Sequence, residues 1–215
     1  MIQPEADIWK SYCDFLCPRW QINPRHLWNT GLYTRGIIKE ESRYQGNNLY
    51  TKSAFIALRN IVYGIAVLSN RKSYFATHAS RFVEPILDFG CGMGVGLRFL
   101  QEEYGFEDLV GLDLPGTQLD LLREYAKPHE IEVIEDLGDR TFGTILCTNT
   151  LEHIEGASEL VVLLRSRCEH LLANIDIHAP KEGPDDPLHV VPIDERLEIK
   201  ADLLARGEWF DIRCE

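Results

Sequence analysis

The sequence has no apolar run near the roughly 20 residues that a membrane-spanning helix needs; its longest candidate, 61–68, is far shorter. No basic segment followed by an apolar one opens the chain, so no secretory signal is read there. No Cys-x-x-Cys pair occurs among the six cysteines, Cys13, Cys17, Cys91, Cys147, Cys168 and Cys214. That scatter fits reduced thiols of a cytoplasmic protein and disfavours a disulfide frame or a zinc site, a Cys13/Cys17/His26 trio included. Repeats and low-complexity tracts are missing as well. What remains has the composition of an ordinary soluble globular chain, 45% hydrophobic and 26% charged over 215 residues, enough for one domain or one domain with an appendage.

Positive charge is scarce overall, with 22 Lys and Arg against 34 Asp and Glu, a net charge of −12. The deficit is uneven. Residues 1–80 carry 10 basic against 5 acidic residues, a net of +5, while residues 81–215 carry 12 against 29, a net of −17. An acidic body disfavours a broad nucleic-acid footprint, since phosphate binding needs clustered cations. The basic first third is read first as docking on the acidic body. It is also compatible with a small-molecule partner that is acidic or phosphorylated.

Two textures divide the chain. Residues 1–82 are rich in aromatics and lack β-alternation; Leu16, Pro18 and Pro24 punctuate what reads as short helices and loops. Between Thr51 and Ser69, Phe55, Leu58, Ile61, Val62, Ile65 and Leu68 recur at helical spacing. A shorter helix is predicted over Ser73–Phe82, and the whole region reads as a helical cap over a substrate. From residue 83 to 215 the pattern alternates strand and helix. Strands are predicted at 86–88, 109–112, 131–134, 144–147, 171–177 and about 209–214, with helices over 94–104, 116–126, 156–169 and 194–205. This order predicts an α/β fold, a doubly wound, mostly parallel sheet with helices on both faces.

The densest signal lies at the end of the first strand: Ile86-Leu87-Asp88-Phe89-Gly90-Cys91-Gly92-Met93-Gly94-Val95-Gly96. An apolar strand ending in an acid, then a glycine-dense turn, then a helix presents bare backbone N–H groups at the carboxyl end of a parallel strand. Nucleotide-like ligands bind there. A dinucleotide turn of the form G-x-G-x-x-G would place its third glycine where this chain has Val95. The next strand ends in Asp113, 23 residues after Gly90, with Leu114 beside it. A carboxylate at that place can accept both ribose hydroxyls of an adenosine.

Together, Asp88-x-Gly90-x-Gly92-x-Gly94 and the strand ending in Asp113 resemble the first two motifs of the class I S-adenosylmethionine-dependent methyltransferases, small-molecule type. The resemblance covers residues 84 to about 180 and implies a Rossmann-like domain over 83–215. It implies S-adenosyl-L-methionine as cofactor, with Asp88, Gly90, Cys91, Gly92, Gly94, Asp113 and Leu114 lining its site. In the family an acid after the third strand receives the adenine amino group. That role passes to Asp136, with Leu137 supplying backbone and apolar contact. Asp139 is its near rival, and a solvated turn reads almost as well.

The fourth strand runs into Thr148-Asn149-Thr150-Leu151-Glu152-His153-Ile154, which resembles the L-E-H-I stretch of small-molecule methyltransferases. Thr148 and Asn149 are then wall residues between cofactor and substrate. His153 has the intrinsic pKa of a general base, though loop-holding is the commoner use of that histidine. The polar stretch after the fifth strand carries His178, Lys181, Asp185, Asp186 and His189, of which His189 precedes apolar Val190-Val191 and is a second catalytic candidate. No spacing in it is diagnostic of a metal, and none is expected. An Asn- or Asp-Pro-Pro-aromatic sequence and a Pro-Cys nucleophile are both missing, which disfavours methylation of DNA. The expectation is methyl transfer to a small molecule with an oxygen, nitrogen or carbon nucleophile; the alternatives are a non-catalytic cofactor-binding partner subunit and an NAD-linked enzyme. Family members end in an antiparallel edge strand. Here it is missing, displaced, or formed by 188–193.

Overall fold

Alternation along short apolar strands sorts their side chains onto two faces. In β1 (Ile86–Phe89) Ile86 joins one hydrophobic cluster and Leu87 the other. In β4 (Phe142–Cys147) Leu146 and Ile145 part the same way, as do Leu172 and Leu171 in β5 (Cys168–Ala173). Strands buried on both faces belong in the middle of a parallel sheet covered by helices. With β2 (Leu109–Leu112) and β3 (Glu132–Ile134) they form a five-stranded, all-parallel sheet in the order β3-β2-β1-β4-β5. The computed structural model describes residues 4–20, 75, 78–177 and 189–209.

One face of the sheet is covered by α1 (Pro4–Trp20), α2 (Val95–Tyr104) and α3 (Thr117–Ala126), the other by α4 (Ala157–Ser166) and α5 (Ile193–Arg206). Each helix turns an apolar stripe inward: Ala157, Val161 and Leu164 in α4, Ile199 and Leu203 in α5. Gly105 and Gly207, in left-handed conformation, end α2 and α5. Connections run outward from β1 to β2 and β3, then return to β4 on the opposite side of β1. The strand order therefore reverses between β1 and β4, and the crevice at their carboxyl ends is where such a sheet binds ligand.

The strands and helices predicted between residues 83 and 205 form within three residues of their expected bounds, except that β5 stops at Ala173 instead of 177. Other readings change or lie outside the described residues. The first segment is one 17-residue helix, not short helices and loops, because Pro18 falls in its final turn and costs one late hydrogen bond. Its Ile8, Trp9, Tyr12, Cys13 and Leu16 are buried in the same cluster as α2 and α3. The helix predicted over 51–69 lies outside the described residues; of that over 73–82, Phe75 and His78 are helical and Ala79–Arg81 follow as a 3-10 turn. At the far edge, residues 189–192 are irregular and Ile193 opens α5, so that segment is no edge strand. The chain returns to β5 after α5 instead, through a parallel bridge from Ala173 to Trp209, and 210–215 lie outside the described residues. Among the described residues no helix is long and apolar enough to cross a membrane.

Candidate functional site

β1 ends in a turn that only glycine can make. Gly90, Gly92 and Gly94 have φ of 76°, 57° and 72°. A Cβ at Gly90 would lie 2.3 Å from Thr150 Oγ1, so the loop after β4 rests directly on the turn. A Cβ at Gly94 would lie 2.8 Å from Leu122 Cδ1, where α3 packs on the start of α2. The end of β2 holds the turn from the other side: the Leu112 carbonyl accepts the N–H groups of Gly90 (2.8 Å) and Cys91 (3.0 Å). From α1, the Tyr12 hydroxyl donates to the Met93 carbonyl.

Asp113 follows β2 and faces this turn. Its Oδ2 accepts the Gly92 N–H at 2.7 Å and its Oδ1 the Leu114 N–H at 2.7 Å. A carboxylate has about four acceptor sites, so two oxygens so placed still have lone pairs for a pair of vicinal hydroxyls. Leu114 beside it is 82% exposed, an apolar side chain held out in water next to a polar cradle. Asp88 lies beneath the turn, 5% exposed, paired in register with Gly111 and Leu146. The Cys91 side chain is buried against β2, and a Cβ at Gly111 would come within 2.9 Å of its sulfur. Cys91 therefore offers a ligand only its backbone, and burial, with Asp88 and Asp113 nearby, pushes its thiol pKa well up.

Asp136 and Leu137 follow β3 on the same edge of the sheet as Asp113; Asp136 is exposed and Leu137 packs partly on the core. Their neighbours are otherwise engaged: Glu135 accepts from Arg123 at 2.7 Å, and Asp139 pairs with Arg167 at 3.7 Å. After β4, Thr148 is buried and its carbonyl accepts the Thr150 hydroxyl at 3.0 Å. Asn149 sits at a φ of 49° and makes a two-way bond with Asn174: its N–H donates to Asn174 Oδ1, and Asn174 Nδ2 donates to Asn149 Oδ1, each at 2.8 Å. Asn174, 4% exposed, escaped the sequence reading because it lies inside the apolar stretch taken as a longer fifth strand. Its signal was a lone amide within that run.

The two candidate histidines come together. The Glu152 carbonyl accepts the N–H groups of Val190 (2.9 Å) and Val191 (3.3 Å), which brings the segment before α5 against the loop after β4. The His153 and His189 rings then lie 5.0 Å apart, centroid to centroid, at 52°. Glu152, the second residue that sequence reasoning passed over, is 2% exposed, and its Oε1 lies 4.0 Å from His153 Nε2. Burial raises its carboxyl pKa, partly countered by backbone N–H groups of Glu152 and Asp176 and by His153. Behind His189, the fully buried Arg196 donates from Nη1 to the Asp176 carbonyl (3.0 Å) and to His189 Nδ1 (3.2 Å). His178, Lys181, Asp185 and Asp186 lie outside the described residues.

The donors and shapes gathered around the β1 turn fit an adenosine-bearing cofactor: a half-buried carboxylate facing a glycine turn, an exposed leucine, and a second acid one strand further out. Residues 86–171 match the family described as "Methyltransferase domain". No curated protein matches the sequence. Among solved structures, the methyltransferase domain of bacterial CtHen1 is 17% identical, with 66% of this chain and 86% of that chain covered and a TM-score of 0.48. A cyclopropane-fatty-acyl-phospholipid synthase-like protein from Lactobacillus casei is 15% identical (72% and 71% covered, TM-score 0.44). The glycopeptide N-methyltransferase MtfA, solved with S-adenosylmethionine, is 22% identical (48% and 50% covered, TM-score 0.39). Likenesses this distant carry no argument about the acceptor. The family match and the geometry of the turn agree on one conclusion: over residues 86–171 the chain matches a methyltransferase domain, and the turn at its start is shaped for an adenosine-bearing cofactor such as S-adenosylmethionine.

Proposed function

We propose that the chain transfers a methyl group from S-adenosylmethionine to a small-molecule acceptor. The observation that carries this is the Asp113 carboxylate set against the left-handed glycine turn of β1, within the segment that matches the family. When bound, the cofactor supplies a methyl group already activated on a sulfonium. The chain must then bind, align and exclude water. Asp113 takes the ribose hydroxyls and Leu114 covers the base, while Asp136 and Leu137 meet its edge. Thr148 and Asn149 form the wall toward the acceptor, and His153 and His189 with Glu152 are the chain's means of activating it. His189 does not serve through Nδ1, because Arg196 can only donate and that nitrogen accepts from it. The acidic body supports a small acceptor over a polyanion.

The test is formation of S-adenosylhomocysteine when the purified chain meets S-adenosylmethionine and a panel of phenols, hydroxy acids and amines. Cofactor binding without turnover on any of them would favour the reading as a non-catalytic partner subunit. Calorimetric binding of NAD in place of S-adenosylmethionine would overturn both. Asp113→Ala should weaken S-adenosylhomocysteine binding by about 1.5–3 kcal/mol, the loss of charge-assisted hydrogen bonds. Unchanged affinity would remove the carboxylate from the site.

A further inference from the structure

We propose that Glu152, His153 and His189 bind one divalent first-row transition-metal ion beside the acceptor position. Their ligand atoms all lie within 4.8 Å of one another, although the residues come from two loops separated in sequence by α4 and β5. Ligands of one ion bound at about 2.0–2.2 Å stand roughly 3–4 Å apart, so closure around an ion takes small side-chain movement only. Two imidazoles and a carboxylate form a donor set suited to zinc, manganese, iron or cobalt, with coordination positions left open.

A second observation points the same way. Glu152 Oε2 is buried and has no hydrogen-bond partner among the described residues, on a side chain only 2% exposed. Folded proteins rarely leave such an atom unsatisfied, because stripping a carboxylate oxygen of water without a partner costs stability. An ion supplies the missing partner. The backbone bonds from Val190 and Val191 to the Glu152 carbonyl hold the two loops together without using any of the three side chains. His153, at 38% exposure, opens the cluster toward solvent and so toward a substrate. Binding gives up one long contact: coordination through His189 Nε2 puts the ring proton on Nδ1, which then no longer accepts from Arg196, while Arg196 Nη1 keeps its bond to the Asp176 carbonyl at 3.0 Å. The open positions suit an acceptor that presents a hydroxyl or two neighbouring oxygens. That use of the ion rests on the methyl-transfer reading; its binding does not.

The test adds Co2+ or Zn2+ alone to the chelator-treated full chain, read by visible absorption for cobalt and calorimetry for zinc. The expected result is one equivalent bound, weakened at least ~10-fold in Glu152→Gln and in His189→Asn, since even indirect disturbance of a metal site costs that much. S-Adenosylhomocysteine affinity, read in parallel, stays unchanged in both variants. No stoichiometric binding, or binding indifferent to the variants, overturns the site. Ion binding by a chain that fails to bind S-adenosylhomocysteine would overturn the methyl-transfer reading and leave the site standing. If Glu152→Gln does not fold, His153→Asn, a change at a partly exposed side chain, carries the same expectation.

Discussion

Gly90 carries the tightest steric demand in the site. Alanine there faces two penalties at once, a φ of 76° and a Cβ 2.3 Å from Thr150 Oγ1. Gly90→Ala should cost about 1–3 kcal/mol of stability, by the usual scale of backbone strain, and weaken cofactor binding with it. Adding Thr150→Gly relieves the contact but not the φ, so the pair should recover part of the loss in a denaturant titration; full recovery would mean that the clash alone matters. The spacing of the three glycines was legible because the turn is local. That Thr150 is what makes Gly90 necessary was not, since the contact joins two strands sixty residues apart. The histidines show the same division: the chemistry of His153 and His189 could be read from the residues, but their meeting depends on a carbonyl of Glu152.

Buried acids set a second expectation at this scale. Burial foremost pushes up the pKa of the Cys91 and Cys147 thiols, with Asp88 acting on both, and likewise the Tyr12 phenol, with Tyr125 beside it. A raised folded-state pKa means that the folded chain holds protons the unfolded chain releases. Stability from these groups is thus whole below the ordinary thiol value of 9.0 and is lost as pH climbs past it. The thermal midpoint should fall between about pH 8 and pH 10.5, less steeply in Cys91→Ala/Cys147→Ala. Equal slopes would mean that other groups govern the alkaline limb.

At the scale of elements, the site depends on three loops that share hydrogen bonds more than on any one helix. Asn149 and Asn174 join the ends of β4 and β5 reciprocally, and Asn174 N–H also donates to the Cys147 carbonyl at 3.0 Å. Asn174→Ala leaves the Asn149 N–H without its partner in a half-buried place, at a cost of about 1–3 kcal/mol. Amide exchange should quicken in 148–154 while α2 and α3 stay protected; uniform loss of protection would show a global effect instead. Sequence periodicity found these strands well because each is a short apolar run. It overran β5 to residue 177, since Ile175 and Ile177 continue the alternation after the ladder has ended. Alternation records burial, and buried loops carry it too.

At the scale of the whole molecule, the first helix belongs to the core. α1 packs on the face of α2 and α3; Tyr12 stacks on Tyr125 with ring centroids 4.0 Å apart, and Ser11 Oγ lies 3.0 Å from Tyr125 Oη. Leu16, 1% exposed, should cost about 2–5 kcal/mol on truncation to alanine, as buried leucines do. A shift in the urea midpoint with an unchanged slope would check it, whereas a loss under 1 kcal/mol would mean that the helix is peripheral. The charge division between 1–80 and 81–215 suggested docking of the first third on the acidic body, but not its means: the side of α1 that packs is apolar, and its charges lie outside. One of them meets the acidic body: Arg19 pairs with Glu124 on α3.

The Leu112 carbonyl, receiving two N–H groups from the β1 turn at 2.8 and 3.0 Å, has a spectroscopic consequence. A doubly hydrogen-bonded carbonyl absorbs at lower infrared frequency than its singly bonded neighbours. Isotopic labelling at Leu112 therefore turns one bond vibration into a gauge of whether the turn keeps its shape as ligand enters.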